Sequence, residues 1–593
     1  MSPRNVLGLS APLLALAISA GDAAEVSPRI ALSPHVYEAA DGSKVDSRFG
    51  VLAVPENRSV PAGATIEIAF VLFPTTAKQP GPPIVYIPGG PGGSGIDSAR
   101  SSRFPLFMAL REFGDVIALD PRGGRRSRPF LLCHETLDYP LAKPPSWDGY
   151  LAAMRSGSED CAWFWRELQR VDLGGYNVNE AADDLEDLRR ALGADRLNLW
   201  AISHGTHIAM TAMRRHPQGI GRAILAGLEG PDHTLKLPAL VQKHLEDVGD
   251  LVARDPSMKE RIPSLTALIE DVLERYDREP VTVAVEDPRT GARVPVTVNK
   301  FVLQLYTAGN IGTSTIGDIP AIYHAARQGD VASLAAWWLK TTREPIGNAM
   351  SYAMDCASGA TAARLQRIAN EAPRTLLGRL SDYSFPDVCG AWSVPDLGDA
   401  FREPVRFDRP VLFISGTLDG RTPVSNVDDV RPGFPDSVHL ILEGAVHSDP
   451  LFLSSPRIAQ TMLSFLRGET LPREIEIGVP RHRCARWPES VSSGKAPVPA
   501  PVGVAVVRPA PGLRPSRGRA RCGRPSPPAR RAPATLGLRA GFLRRRRDRR
   551  SVPAPGSRPH RSCRGAPRRR AWRTGAPRAA SCPPRRERRL RAR

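Results

Sequence analysis

This 593-residue sequence predicts an α/β fold: a mostly parallel sheet with helices on both faces and an inserted, mainly helical cap. Three observations carry that expectation. Short apolar, β-prone runs alternate with segments of helical period, the pattern of a parallel sheet covered on both sides. Each glycine-rich or Ser-, Asp- or His-bearing segment described below directly follows such a run. All of them therefore fall on the carboxyl edge of one sheet, where such sheets bind ligands. Between Leu237 and about Ala400 the pattern turns helical instead.

The elements follow in chain order. Residues 47–73 alternate as two paired strands around a turn at Pro61-Ala62-Gly63. The run Ile84–Ile87 ends in Pro88-Gly-Gly-Pro-Gly-Gly-Ser-Gly95, and Asp115–Leu119 in Asp120-Pro-Arg-Gly-Gly-Arg-Arg-Ser127. Residues 178–192 form an amphipathic helix with Leu185, Leu188 and Leu192 on one face, stopped by Gly193. Leu197–Ile202 is a strand, followed by a helix His204–Arg215 that Pro217 stops. Arg222–Leu228, Val411–Ser415 and Val438–Leu442 are further buried-type strands, and Ile458–Arg467 a last helix. Within the insertion, helices are expected over Leu251–Tyr276, Ile319–Ala336 and Ala360–Asn370, with a polar hairpin at Val281–Val296. The expected division is a core over 25–236 and 401–477, interrupted by a cap over 237–400.

The two ends differ from this body. Arg4, an apolar run from Val6 to Ala20 and the small residues up to Ala24 have the form of a secretory signal over 1–24. That run is too short to span a bilayer, and no later segment has the length and purity of a membrane helix. A secreted or periplasmic protein is expected. Export makes the four cysteines of the body, Cys133, Cys161, Cys356 and Cys389, candidates for two disulfides. Of the three possible pairings the local ones, Cys133–Cys161 and Cys356–Cys389, are favoured. Neither spacing is that of a zinc site, and no metal or other cofactor is expected.

The net charge of +20 hides a division: Arg481–Arg593 carries 33 Lys/Arg against three acids, a net of +30. The preceding 480 residues hold 48 Lys/Arg and 58 Asp/Glu, a net of −10, which argues against a nucleic-acid-binding body. The Arg/Pro/Ala/Gly-rich tail, 478–593, buries too little apolar surface to offset its ordering entropy and is predicted disordered. Its composition is that of out-of-frame translation of GC-rich DNA. A genuine tail of this kind would make the chain a polyanion- or envelope-binding protein.

The chemistry centres on Ser203. The strand-like run ends there, and Gly205 and a helix follow, which is how a serine hydroxyl is aimed out of a tight strand-to-helix turn. The full signature has glycine two residues earlier, where Ala201 stands. A serine needs a base, an acid to orient it and donors for the oxyanion. Asp419, in Gly416-Thr-Leu-Asp419 after a strand, supplies the acid, and His447, at the end of Glu443-Gly-Ala-Val-His447, the base. Glu229 is the rival acid. Backbone N–H groups of Gly89 or Gly90 and of His204 are the oxyanion donors, glycine permitting close backbone approach. The glycine run lacks the lysine of a P-loop and the spacing of a dinucleotide site. His204 and His207 invite a metal reading but have no carboxylate or thiol ligand beside them in sequence. An aminopeptidase also needs a carboxylate for the substrate ammonium: Glu229 and Asp232 are the first candidates, Asp355 and Asp382 the others.

In these segments the chain resembles the α/β-hydrolase superfamily, specifically the prolyl-iminopeptidase and tripeptidyl-aminopeptidase-like branch of serine exopeptidases. The residues that carry the resemblance are Pro88–Gly95, Asp120–Ser127, Ala182–Gly193, the Ser203 turn and Ile414-Ser-Gly-Thr-Leu-Asp-Gly-Arg-Thr-Pro423, over about residues 45–470. The order Ser203, Asp419, His447 is also that of the superfamily. Departures stand at Pro88, where the branch has His, at Pro121, Arg125 and Arg126, and at Ala201. The resemblance implies a Ser-His-Asp enzyme that releases N-terminal residues from peptides. A carboxylesterase on small esters is the alternative.

Overall fold

A computed structural model describes residues 29–478. The expected signal segment, 1–24, and the basic tail beyond its first residue lie outside the described residues.

Ten strands form one sheet: β1 (Arg29–Glu38), β2 (Lys44–Pro55), β3 (Thr65–Phe73), β4 (Ile84–Ile87), β5 (Val116–Leu119), β6 (Leu197–Ser203), β7 (Ile220–Leu228), β10 (Val411–Gly416), β11 (Ser437–Glu443) and β12 (Glu474–Gly478). Their order is β1-β2-β3-β5-β4-β6-β7-β10-β11-β12. β2 pairs antiparallel with β1 and with β3, and β3 with β5; every remaining neighbour pair is parallel. Two further strands, β8 (Val281–Glu286) and β9 (Arg293–Val298), make a separate antiparallel hairpin. The fold is thus the mostly parallel α/β sheet that the alternation of runs predicts.

The central strands are apolar throughout because both faces are covered. Alternate residues feed two cores: Val85, Ile87, Leu199, Ala201 and Phe413 face one, and Ile84, Tyr86, Trp200, Ile202 and Ile414 the other. The helix Val178–Ala191 begins at Asn177, whose side chain accepts from the Glu180 N–H, and buries Leu185 and Leu188.

Where the sequence reading missed an element, the reasons are local. β1 has only Tyr37 buried and contains Pro34, so it shows no alternation; it is an edge strand. The single helix expected over Leu251–Tyr276 is two, Pro238–Arg254 and Leu265–Arg278. Pro256 and Pro263 fall in the gap, and Ser264 caps the second helix through the Ala267 N–H. Likewise Ile319–Ala336 divides into Ile319–Arg327 and Ala332–Arg343, separated at Gly329, which adopts φ 92°.

Between β7 and β10 the chain leaves the large sheet. This stretch holds the β8–β9 hairpin and the helices from Pro238–Arg254 to Asp399–Arg402. Two disulfides join Cys133 to Cys161 and Cys356 to Cys389, the local pairing. Among the described residues no helix is long and apolar enough to cross a membrane.

Candidate active site

At Ser203 the backbone turns sharply from β6 into the helix His204–Arg215, with φ 56° and ψ −132°. A serine holds that positive-φ conformation only where its surroundings impose it. The neighbours impose it by passing close: a Cβ at Gly205 would lie 2.3 Å from the Ile87 carbonyl oxygen, and one at Gly89 would lie 2.7 Å from Ser203 Cβ. Gly205 is therefore required. Ala201 is a fully buried strand residue paired with Ile87 and Leu225, a place where a methyl group fits. This is why the missing glycine of the signature is tolerated.

Asp419 follows β10 and is almost fully buried. Its Oδ1 accepts from the backbone N–H groups of Arg421 and Thr422, both at 2.9 Å. Its Oδ2 accepts from the Thr422 hydroxyl and lies 2.7 Å from His447 Nδ1. Burial pushes this carboxyl up, but the His447 imidazole and the Thr422 donors outweigh it and hold the pKa below the ordinary aspartate value. With Nδ1 bonded to Asp419, Nε2 is the ring nitrogen of this cavity-lining histidine left for another partner. Gly227, at φ 56°, makes room for the ring: a Cβ there would be 3.0 Å from His447 Cε1. Among the described residues no hydrogen bond joins Ser203 Oγ to His447; such bonds commonly tighten only when substrate is bound.

Ser203 and His447 line one cavity of about 940 Å³, together with Gly89 and Gly90. The Gly89–Gly93 turn is closed by the Gly93 N–H on the Gly89 carbonyl at 3.0 Å. Asp120, at the end of β5, braces it by accepting from the Ser94 hydroxyl at 2.6 Å and from the N–H groups of Ile96 and Arg126. Ser351, from the helix Ala349–Ser358, donates to the Pro91 carbonyl at 2.8 Å. The His204 side chain is buried, and burial pushes its imidazole down to about 3, so it is neutral. Among the described residues its Nε2 has no hydrogen-bond partner, and it lies 3.9 Å from Asp355.

The carboxylates expected near the substrate separate into two groups. Glu229 is buried beside Lys236 Nζ at 3.7 Å, and Asp232 accepts from the Thr361 N–H and hydroxyl at the start of the helix Ala362–Glu371. Neither lines the cavity, and Glu229 does not reach His447. Both closely follow β7, and the chain there turns its acids onto internal partners. Asp355 and Asp382 do line the cavity. Among the described residues Asp355 forms no ion pair other than that with the distant neutral His204, and the Asp382 side chain accepts only the Lys236 backbone N–H at 2.7 Å. Burial pushes both carboxyls up, Asp382 to about 6.

His204 and His207 do not share a ligand site. His207 is held between the Gly230 carbonyl at 3.0 Å and the Ser358 hydroxyl at 3.2 Å. The group Cys133, Glu135 and Cys161 has metal-like spacing, but its two sulfurs are bonded to each other. The reading missed Thr422 and Arg421. The signal available was local: both sit within three residues of Asp419, in reach of its carboxylate.

The chain belongs to the α/β hydrolase fold family, which matches residues 82–452. Among curated relatives it is 33% identical over 191 residues to the serine protease Hip1 of Mycobacterium tuberculosis, covering 31% of this chain and 36% of that one. It is 27% identical over 191 residues to a tripeptidyl aminopeptidase of Streptomyces coelicolor, covering 31% and 35%. It is also 24% identical over 471 residues to carboxylesterase B of Mycobacterium tuberculosis, covering 73% and 86%. The chain thus spans about a third of the length of the first two relatives.

Proposed function

We propose that the chain is a secreted or periplasmic serine hydrolase that releases N-terminal residues or short peptides from peptide substrates. Ser203 attacks the carbonyl and His447 takes its proton and delivers it to the leaving amine. Asp419 fixes the imidazole, and the Gly89–Gly90 loop and the His204 N–H hold the oxyanion. Water activated by His447 then releases the acyl group. Residues 237–400 act as the cap that bounds the substrate. The names of the two peptidase relatives support this reading, and the two disulfides support an oxidising compartment.

One observation carries the preference for an aminopeptidase. The cavity that holds Ser203 also holds two carboxylates, Asp355 and Asp382, that form no ion pair with a lysine or arginine among the described residues. A substrate ammonium would satisfy both, whereas a simple ester offers them nothing. The relative named carboxylesterase B keeps the esterase alternative in view.

The test is a fluorophosphonate label mapped by peptide digestion, followed by aminoacyl-anilides with free and N-acetylated amines. The label is expected on Ser203, and acetylation is expected to abolish turnover. Equal turnover of both forms would show that no free amine is required and would overturn the aminopeptidase reading, and a label elsewhere would remove Ser203 from its role.

A further inference from the structure

The acid and base loops of the proposed triad are both held by one turn of the inserted segment. The helix Lys300–Asn310 ends in residues 308–312, where Gly312 adopts φ 69°. The Gly312 carbonyl accepts from the His447 backbone N–H at 2.6 Å. On the acid side the fit is equally close: a Cβ at Gly312 would lie 2.4 Å from the Gly420 N, and one at Gly420 would lie 2.5 Å from Ile311 Cγ2. Gly312 lets the turn meet the acid loop backbone to backbone, and Gly420 leaves room for the side chains of Ile311 and His244.

Arg421 fastens that contact. Its backbone N–H donates to Asp419 Oδ1 at 2.9 Å, while its guanidinium reaches back across the turn. There Nη2 donates to the carbonyls of Ala308 at 3.1 Å and Gly309 at 3.2 Å and to the Tyr383 hydroxyl at 2.7 Å. Those carbonyls belong to the last turn of the helix, where no intrahelical donor remains for them and a cation is favoured. All three acceptors meet one nitrogen, Nη2, at the tip of a planar group that the shorter, more flexible stem of a lysine does not carry to the same place.

We infer that Arg421 is a positioning residue: by clamping the 308–312 turn it holds Asp419 and His447 in register, so the insertion is part of the catalytic framework. This rests on the Ser203–His447–Asp419 reading above. Its consequence falls on attack by Ser203, because an orienting pair displaced by even about 1 Å costs up to about 100-fold in rate.

The test uses the full chain and the rate at which a fluorophosphonate modifies Ser203, a readout independent of peptide specificity. Arg421→Ala is expected to slow modification by about tenfold or more. It should also remove the downfield proton resonance of the His447 Nδ1–H that faces Asp419. Arg275→Ala removes a comparable contact, Arg275 Nη1 to the Arg327 carbonyl at 2.7 Å, far along the insertion, and should leave the rate unchanged. If Arg421→Ala does not fold, Arg421→Lys decides: a slower rate with an unchanged melting temperature supports the clamp, and a wild-type rate overturns it. Folded Arg421→Ala with wild-type rate and resonance also overturns it. A wild-type chain that takes no label removes the triad reading itself and the clamp with it.

Discussion

At the level of single residues, the proposed triad is legible in sequence because each of its groups closely follows a strand. Ser203, Asp419 and His447 could be picked out because β6, β10 and β11 are unmistakable apolar runs and each ends at one of them or a few residues before it. The Asp419–His447 contact of 2.7 Å carries a definite expectation. Asp419→Asn keeps the shape but offers an amide to Nδ1, favouring the wrong tautomer, and should lower kcat by about 10⁴-fold with the fold intact. Steady-state kinetics together with circular dichroism check this, and a loss below tenfold would return the acid role to another group. The two glycine positions of the elbow give a sharper contrast. Gly205→Ala forces a Cβ to within 2.3 Å of a backbone oxygen and should destabilise the chain by about 2 kcal/mol or more. Ala201→Gly only frees the unfolded chain and removes a buried methyl, for a loss of about 1 kcal/mol. Chemical denaturation of both variants measures the difference, and equal losses would show that the elbow geometry is not what selects Gly205.

Among the elements, what sequence could not supply was the packing of the insertion. Its helices follow from periodicity, but which of their faces meets the sheet edge depends on contacts that no local rule encodes. That is why sequence alone does not choose among Glu229 and Asp232, close behind β7, and Asp355 and Asp382, more than a hundred residues later. The disulfide Cys356–Cys389 now acquires a role that pairing alone did not suggest. Cys356 is the residue after Asp355 in the helix Ala349–Ser358, and Cys389 lies seven residues beyond Asp382. The bond therefore ties together the two segments that bear the cavity carboxylates. Replacing both cysteines with serine should cost about 2–4 kcal/mol of stability and raise KM for free-amine substrates several-fold. The fluorophosphonate rate at Ser203 should hardly change, because the clamp at Arg421 is untouched. An unchanged KM would separate the disulfide from substrate binding.

For the molecule as a whole, the buried carboxylates make both binding and stability depend on pH, with a sign fixed by their environment. Burial raises Asp382 to about 6 against the pull of Lys236, and raises Asp355 as well, with repulsion from Glu229 adding to it. An ammonium is held only by ionised partners. The kcat/KM for a free aminoacyl-anilide should therefore fall as pH drops through about 6, beyond any loss shared with an N-acetylated ester, and Asp382→Asn should remove that extra limb. Stability runs the other way. A carboxyl whose folded pKa lies above its unfolded value of about 3.9 binds its proton more tightly in the folded chain. The stabilisation is full below that unfolded value and is lost as pH rises through about 6. Asp382→Asn carries no such dependence. Its melting temperature relative to wild type should be higher at pH 8 than at pH 5, as thermal unfolding at the two pH values would record. A difference independent of pH would mean that Asp382 is solvated in the cavity, and it would withdraw this residue from the binding of the substrate amine.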